Sequence, residues 1–295
     1  MPDKVSAKLS VYLELLTQHR QFEMVTASIV TFHTPPSELR RLLDCAVNSS
    51  INKIIIVDHS GNNDIETLVA SFPRTEYFPH ENKGYGSGHN VALKRARELK
   101  SKYHVILNPD VYWDGDIIMT LRDFMDRNPE CGMAMPKIIY PDGSLQYLCK
   151  KLPTPMDLFG RRFLPNNKYR ERSDMEYELR WSGYDMEMEV PSLSGCFMFL
   201  RMDVIRRIGG FDERYFMYCE DMDLCRRIGD ISKTMFFPKV TAVHEYEKGS
   251  YKNKKLLKLH IASVIKYFNK WGWLFDKTRS ERNRNLITKI KESKR

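Results

Sequence analysis

The 295-residue sequence has no CxxC pair, and its six cysteines (Cys45, Cys131, Cys149, Cys196, Cys219 and Cys225) follow no regular spacing. Zinc frames and a disulfide scaffold are thereby excluded, and reduced thiols of a cytosolic protein are expected. No run approaches the roughly 18 apolar residues of a membrane span. The stretch 9–16 is interrupted by Ser10 and Glu14, so the N-terminus lacks the apolar core of a signal peptide. Neither a Gly-Lys-Ser/Thr phosphate loop nor a GxGxxG dinucleotide fingerprint occurs. Internal repeats and low-complexity segments are absent as well.

What is present is enough apolar sequence for a packed core, 42% of residues, which excludes global disorder. The net charge of +9 is unevenly placed: residues 248–295 hold 15 Lys/Arg against 3 Asp/Glu, so the first 247 residues are slightly acidic. A basic tail of this kind suits an anionic surface, either lipid headgroups or nucleic acid.

Short apolar runs alternate with helical patterns along the chain. Residues 4–22 carry Leu9, Leu13 and Leu16 at helical spacing, and 25–32 is rich in β-formers. Pro35-Pro36-Ser37 opens a helix to about Val47, and Ile54-Ile55-Ile56-Val57 is a continuous apolar strand ending at Asp58. A helix over 64–72, a strand over 75–79 and a helix over about 88–100 follow, then the strand 103–107. This alternation predicts a doubly wound, mostly parallel α/β sheet with polar residues gathered at one edge. Further on, a helix is expected over 115–127 and a strand near 131–135, with the turn signal Tyr140-Pro141-Asp142-Gly143-Ser144 after it. Residues 150–185 read as a long excursion, and such excursions often form lids. Ser194 to Leu200 forms a strand, and a helix over 203–208 closes on Gly209-Gly210.

Three stretches carry chemistry. Asn108-Pro109-Asp110 ends the 103–107 strand, because proline cannot continue a central ladder. Its carboxylate is either a divalent-cation ligand at the ligand-binding edge of the sheet or an Asx-turn capping the next helix. The loop Asn82-Lys83-Gly84-Tyr85-Gly86-Ser87-Gly88-His89-Asn90 allows close backbone approach to a ligand, or is a flexible turn. In Glu220-Asp221-Met222-Asp223, three acids open a helix after an aromatic turn, which suits capping and also a partly desolvated general base. A strand over 240–243 ends at His244, again a polar residue closing an apolar run.

Taken in order, VTASIVTFH, VDHSGNND, NKGYGSGHN, LNPDV, SGCFMFLRMDVIRRIGGFDERYFMYCEDMDLCRR and the final H-x5-S from His244 to Ser250 resemble a family 2 glycosyltransferase of GT-A fold. The match runs over roughly 24–275 and is most similar to the rhamnosyltransferase-like branch of bacterial surface-polysaccharide synthesis. The resemblance implies a Rossmann-like GT-A catalytic domain at 24–250, with a nucleotide-binding half (24–112) and an acceptor half (113–250). A helical lead (1–23) would precede it and a basic amphipathic helical tail (251–295) follow.

The same resemblance implies that Asp58, with Thr31 and His33, recognises the nucleotide base, and that Asn82, Lys83, Gly84, Gly86 and Asn90 lie near base and ribose. Asp110 would be the metal-binding acid of the DxD motif, whose first position is Asn108 here, on the nucleotide side. His244 would be a further ligand of Mg²⁺ or Mn²⁺. Asp221 would be the catalytic base and Glu220 would contact the acceptor. The implied reaction is inverting transfer from a nucleotide-sugar donor, dTDP-rhamnose or a UDP-sugar, to a glycan or lipid-linked acceptor. A non-catalytic nucleotide-sugar or glycan-binding module is the alternative. Nucleic acid is not expected as a partner, because the acidic strand ends would repel phosphate.

The tail has two readings. Leu257, Ile261, Val264, Ile265 and Phe268 mark one face of a helix from Lys254, which either packs on the domain or lies in a membrane interface. Trp271 to Phe275 beside basic residues favours an anionic membrane surface, and hence a cytoplasmic protein peripheral at the inner face of the cell membrane.

Overall fold

The computed structural model describes residues 24–61, 63–160, 167–245 and 254–294. The helical lead expected before residue 24, and Tyr246, Lys248 and Ser250 after His244, lie outside the described residues.

The elements alternate as the apolar runs predict. β1 (Val25–Thr31), α1 (Pro36–Val47), β2 (Lys53–Asp58), α2 (Asn63–Ala70), β3 (Thr75–Pro79), α3 (Tyr85–Glu98) and β4 (Tyr103–Leu107) come first. β5 (Val111–Tyr112), α4 (Ile117–Arg127), β6 (Cys131–Ile139), α5 (Asn167–Tyr177), β7 (Met188–Glu189), β8 (Phe197–Arg201) and α6 (Met202–Ile208) follow. The chain then runs through α7 (Glu220–Gly229), β9 (Lys233–His244), α8 (Lys254–Trp271) and α9 (Lys277–Ser293).

The strands form one sheet in the order β3-β2-β1-β4-β8-β6-β9-β5, with β7 paired to β9. β1 to β4 pair in parallel. β8 is inserted antiparallel between β4 and β6, and β9 returns parallel to β6. Among the described residues six strands therefore point one way, and β5, β7 and β8 oppose them. The carboxyl ends of β1, β2, β4, β6 and β9, and the amino end of β8, consequently share one edge of the sheet.

Strand alternation divides the side chains between two covered faces. On one face Val25, Ala27, Ile29, Ile54, Ile56, Val105, Leu107, Phe197 and Phe199 meet the apolar stripes of α1, α2 and α4. On the other, Ile106, Met133, Met135, Met198 and Leu200 meet α3, α6, α7 and α9. Below α3 this second face is polar. Thr26 Oγ1 lies 2.7 Å from His104 Nδ1, Ser28 Oγ lies 2.8 Å from His104 Nε2, and 2.7 Å separate Ser28 Oγ from His89 Nδ1. Both rings are fully buried, and burial pushes His104 down to about 3.

Two expectations need correction, and one open reading is resolved. α3 begins at Tyr85 rather than near residue 88, so the second and third glycines of the loop lie inside its first turn. The 150–185 excursion is not unstructured among its described residues: it holds a π-helical turn at Met156–Gly160 and α5. Of the two readings of the tail, its described helices, α8 and α9, follow the first and pack on the α/β sheet domain. In α8, Val264, Tyr267 and Phe268 turn inward onto Tyr215 and Cys219, while Ile265 points outward. Arg226 and Asp276, each 4% exposed, form a two-pronged ion pair at 2.6 and 2.7 Å that fixes the start of α9.

Candidate active site

At the carboxyl ends of β1 and β2 the register sets Thr31 opposite Asp58. Asp58 is fully buried. Thr31 Oγ1 donates to its Oδ1 at 2.8 Å, as does Ser60 Oγ at 2.6 Å, and the Tyr77 hydroxyl donates to Oδ2 at 3.0 Å. Burial, helped by the neighbouring Asp58 carboxylate, pushes the Tyr77 phenol up to about 12. His33, just past β1, is exposed and adopts a positive φ of 52°.

The glycine-rich loop owes its glycines to a neighbouring segment of the same chain. Gly84 has φ +105°, and a Cβ there would stand 2.2 Å from the Phe216 carbonyl oxygen, which accepts from Tyr85 N at 2.9 Å. At Gly86 a Cβ would meet Phe211 at 2.9 Å, and at Gly88 it would meet His59 and Val30. Asn82 Oδ1 accepts from Gly84 N, and Lys83 pairs with Glu81 at the surface. The Asn90 amide clasps the Phe211 backbone, with Phe211 N donating to Oδ1 at 2.9 Å and Nδ2 donating to Phe211 O at 3.0 Å. The loop thus docks residues 211–216 against α3 and so places the head of α7.

The remaining site residues meet at the centre of the edge. Asn108 N bonds to Cys196 O, which ties the end of β4 to the start of β8. The Tyr85 hydroxyl lies 3.0 Å from Asn108 Oδ1 and 2.8 Å from Gly195 O. Gly195 N donates to Asp221 Oδ2 at 3.1 Å, and Met222 N donates to Asp221 Oδ1 at 2.8 Å. A Cβ on Gly195 would press on the Asp221 side chain at 3.3 Å, so glycine lets β8 approach that carboxylate. On the other side Asn108 Nδ2 is 3.3 Å from His244 Nε2, which is 3.4 Å from Asp110 Oδ1. One line of contacts therefore joins Asp221, Gly195, Tyr85, Asn108, His244 and Asp110.

Asp110 is partly exposed and His244 nearly buried. Burial works against charge on His244, but the Cys196 sulfur and the Asp110 carboxylate outweigh it and leave the imidazole raised, to about 10. A divalent cation seated between Asp110 and His244 would take the place of the proton on Nε2. Among the described residues no group of three His, Cys, Asp or Glu gathers to hold a cation alone. A carboxylate oxygen and an imidazole nitrogen suit a cation that completes its shell with oxygens of a bound ligand and water, as Mg²⁺ and Mn²⁺ do.

The acids at the head of α7 have separate surroundings. Tyr218 and Cys219 both have positive φ, 70° and 67°, a conformation that costs bulky residues about 1–3 kcal/mol each. Packing from α8 holds them: Ser263 Oγ donates to Met217 O at 2.7 Å, and the His260 ring lies 4.8 Å from that of Tyr218. Glu220 follows, buried, and its Oε2 has no hydrogen-bond partner among the described residues. Burial and the adjacent Asp221 charge push its carboxyl up to about 8. Asp221 is partly open to solvent. Asp223 is wholly internal, bonded to Arg227, Lys270 and the Trp271 indole, and this locks α8 to α7.

Asp110, Asp221, Glu220, Asn108 and His244 thus come together, while Thr31 and Asp58 form a separate pair at the β1–β2 end of the edge, with His33 exposed just beyond β1. Sequence reasoning missed Tyr85, Gly195 and Gln146, whose amide meets the far side of the His244 ring. A signal existed for two of them. Gly195 opens a strand at the ligand edge, and Tyr85 sits inside the glycine loop.

No family model matches the chain. It is 28% identical over 233 residues to the N-acetylglucosaminyl-diphospho-decaprenol L-rhamnosyltransferase of Mycobacterium tuberculosis, covering 73% of this chain and 74% of that protein. With the rhamnosyltransferase WbbL of Escherichia coli it shares 24% identity over 249 residues, 81% of this chain and 90% of WbbL. Among solved structures it is similar to the mannosyltransferase PcManGT of Pyrobaculum calidifontis in complex with GDP-Man and Mn²⁺, with a TM-score of 0.55 and 15% identity. That likeness covers 82% of this chain, which spans 64% of the mannosyltransferase. Residues 1–349 of S. aureus TarS align with a TM-score of 0.54 and 12% identity, over 90% of this chain and 70% of that one.

Proposed function

The chain is a glycosyltransferase of GT-A fold, similar to the family 2 rhamnosyltransferases of cell-surface polysaccharide synthesis, and we propose that it performs an inverting, cation-dependent sugar transfer. The donor would be a nucleotide sugar, dTDP-rhamnose or a UDP-sugar, and the acceptor a glycan or lipid-linked saccharide. One observation carries the reading: the line of contacts from Asp221 through Gly195, Tyr85, Asn108 and His244 to Asp110. It sets a candidate base and a candidate diphosphate-binding group at one sheet edge.

In this reading Asp221 takes the proton of the acceptor hydroxyl while that oxygen attacks the anomeric carbon. The bond from the anomeric carbon to the nucleoside diphosphate breaks with inversion, and its electron pair leaves with the diphosphate. The Gly195 and Met222 amides hold the Asp221 carboxylate in one orientation. Glu220, buried behind it, contacts the acceptor. Asp110 and His244 would hold Mg²⁺ or Mn²⁺, which when bound supplies neutralisation of the charge that develops on the diphosphate. Thr31, His33 and Asp58 would receive the base, with Asn82, Lys83, Gly84, Gly86 and Asn90 shaping the wall beside it. Asp58 and Asn90 would act there chiefly through the groups they hold.

The proposed membrane partner narrows to one turn. Among the described residues no helix is long and apolar enough to cross a membrane. Between α8 and α9, however, Trp273, Leu274 and Phe275 are 37%, 76% and 95% exposed, with Lys277 beside them. Three large apolar side chains at the tip of a basic hairpin suit the interface of an anionic membrane, where a lipid-linked acceptor would lie. A peripheral position at the inner face of the cell membrane follows from this reading.

Incubation of the full chain with candidate nucleotide sugars tests the reaction. Release of nucleoside diphosphate should require Mn²⁺ or Mg²⁺, stop with chelator, and vanish in Asp110→Ala. No turnover of any donor would favour the non-catalytic binding module. Flotation with anionic vesicles at low salt tests the turn. Leu274→Ser with Phe275→Ser should abolish flotation, and failure of the unmodified chain to float removes the membrane partner.

A further inference from the structure

Gln146 is 2% exposed and lies just past the turn that ends β6, outside every motif discussed above. Its side chain grips the last residue of β9 at two points. Nε2 donates to the His244 carbonyl oxygen at 2.7 Å, and Oε1 lies 2.9 Å from His244 Nδ1. Because a backbone carbonyl can only accept, the amide nitrogen must face it, and the amide oxygen must face the ring. Nδ1 is then the nitrogen that keeps its hydrogen when the ring is neutral, and Nε2 is the one that gives up its proton and presents a lone pair.

The other ring nitrogen, Nε2, lies 3.3 Å from Asn108 Nδ2. Nε2 is also the ring nitrogen aimed at Asp110.

We infer that Gln146 is a positioning residue that fixes His244 as its Nδ1–H tautomer, so that Nε2 and the Asp110 carboxylate form a ready-made pair of ligands for a divalent cation. The inference rests on the proposed cation role of Asp110 and His244. Imidazole ligands are commonly held this way, by an acceptor on the nitrogen remote from the metal, and loss of that acceptor typically weakens metal binding about 10- to 100-fold. Gln146 also anchors the end of β9 through the His244 carbonyl, so both ring orientation and ring height depend on one side chain.

The test compares Gln146→Leu, which cannot bond to the ring, with Gln146→Glu, which keeps an acceptor at Nδ1. In the full-length wild type labelled with ¹⁵N-histidine, a pH titration should show Nδ1 of His244 keeping its proton throughout while Nε2 alone gains or loses one. The His244→Ala variant assigns the signal. Titration with Mn²⁺ in the presence of a nucleoside diphosphate, followed by the electron paramagnetic resonance of the free ion, should show 10- to 100-fold weaker binding in Gln146→Leu. In Gln146→Glu binding should return to within about threefold of wild type. Loss of the proton from Nδ1 in the wild type would overturn the inference, as would unchanged Mn²⁺ binding in a folded Gln146→Leu protein. Absence of Mn²⁺ binding in the wild type itself would overturn the cation reading instead, while the ¹⁵N titration still decides the tautomer.

Discussion

At the β1–β2 end of the sheet edge, Asp58 is fully buried and both its oxygens accept hydrogen bonds, from Thr31, Ser60 and Tyr77. At the head of α7, Glu220 is also buried, yet one of its oxygens has no partner among the described residues, and the two residues before it hold strained backbone. The Asp58 carboxylate resembles one in an ordinary protein interior, where buried polar groups are matched. The second region keeps an unmatched acid, a half-open carboxylate and left-handed non-glycine residues in one turn. Such concentrations of strain and perturbed acidity mark places where a structure is held ready for chemistry. The two buried acids therefore differ in kind: Asp58 is held rigidly and Glu220 is left poised.

The comparison is broken most severely by Asp221→Asn. Turnover should fall by about 10²–10⁴-fold, the usual worth of general-base catalysis, with nucleotide binding measured by calorimetry unchanged. Near-normal turnover would remove Asp221 as the base. Asp58→Ala should act on stability instead, because it leaves buried donors on Thr31 and Tyr77 without their acceptor. A loss of about 3 kcal/mol in urea unfolding is expected.

Glu220→Gln should show its effect as pH dependence. The folded-state value of Glu220 lies above its unfolded one, so its contribution to stability is complete below the ordinary carboxylate range and is lost as pH rises toward about 8. Melting temperatures of wild type and Glu220→Gln should therefore diverge from pH 5 to pH 9 in favour of the variant. Parallel curves would show that burial does not perturb this acid. Tyr77→Phe sharpens the comparison with the smallest effect, about 1 kcal/mol of stability for one hydrogen bond to Asp58, and turnover should stay normal.

The legible parts of the molecule were those governed by periodicity and punctuation. Continuous apolar runs such as Ile54-Ile55-Ile56-Val57 announced strands covered on both faces, and the polar residue after each run announced the edge where Asp58, Asp110 and His244 now stand. The glycine loop was legible as a place of close approach, but not what approaches. That Gly84 faces the Phe216 backbone depends on pairing segments more than 130 residues apart, which no local pattern encodes. Gln146 was invisible for a similar reason, since its partner His244 is 98 residues away. The tail stays ambiguous in the sequence because basic and apolar spacing in α8 fits either a lipid interface or a protein one. Contacts made across the chain, such as Tyr267 and Phe268 on Tyr215 and Cys219 and the ties of Lys270 and Trp271 to Asp223, separate the two.

The position of β8 has a consequence for how the protein is made. Residues 197–201 occupy the seat between β4 at 103–107 and β6 at 131–139, so about a third of the chain emerges from the ribosome between the fourth strand and its partner. Until β8 arrives, β4 ends the parallel half with a bare row of backbone donors and acceptors, a template for unwanted pairing. The order of synthesis thus leaves the sheet open at its middle rather than at its rim. Destabilising changes in β8 should then appear first as aggregation of newly made chains, before any loss of activity in the molecules that fold.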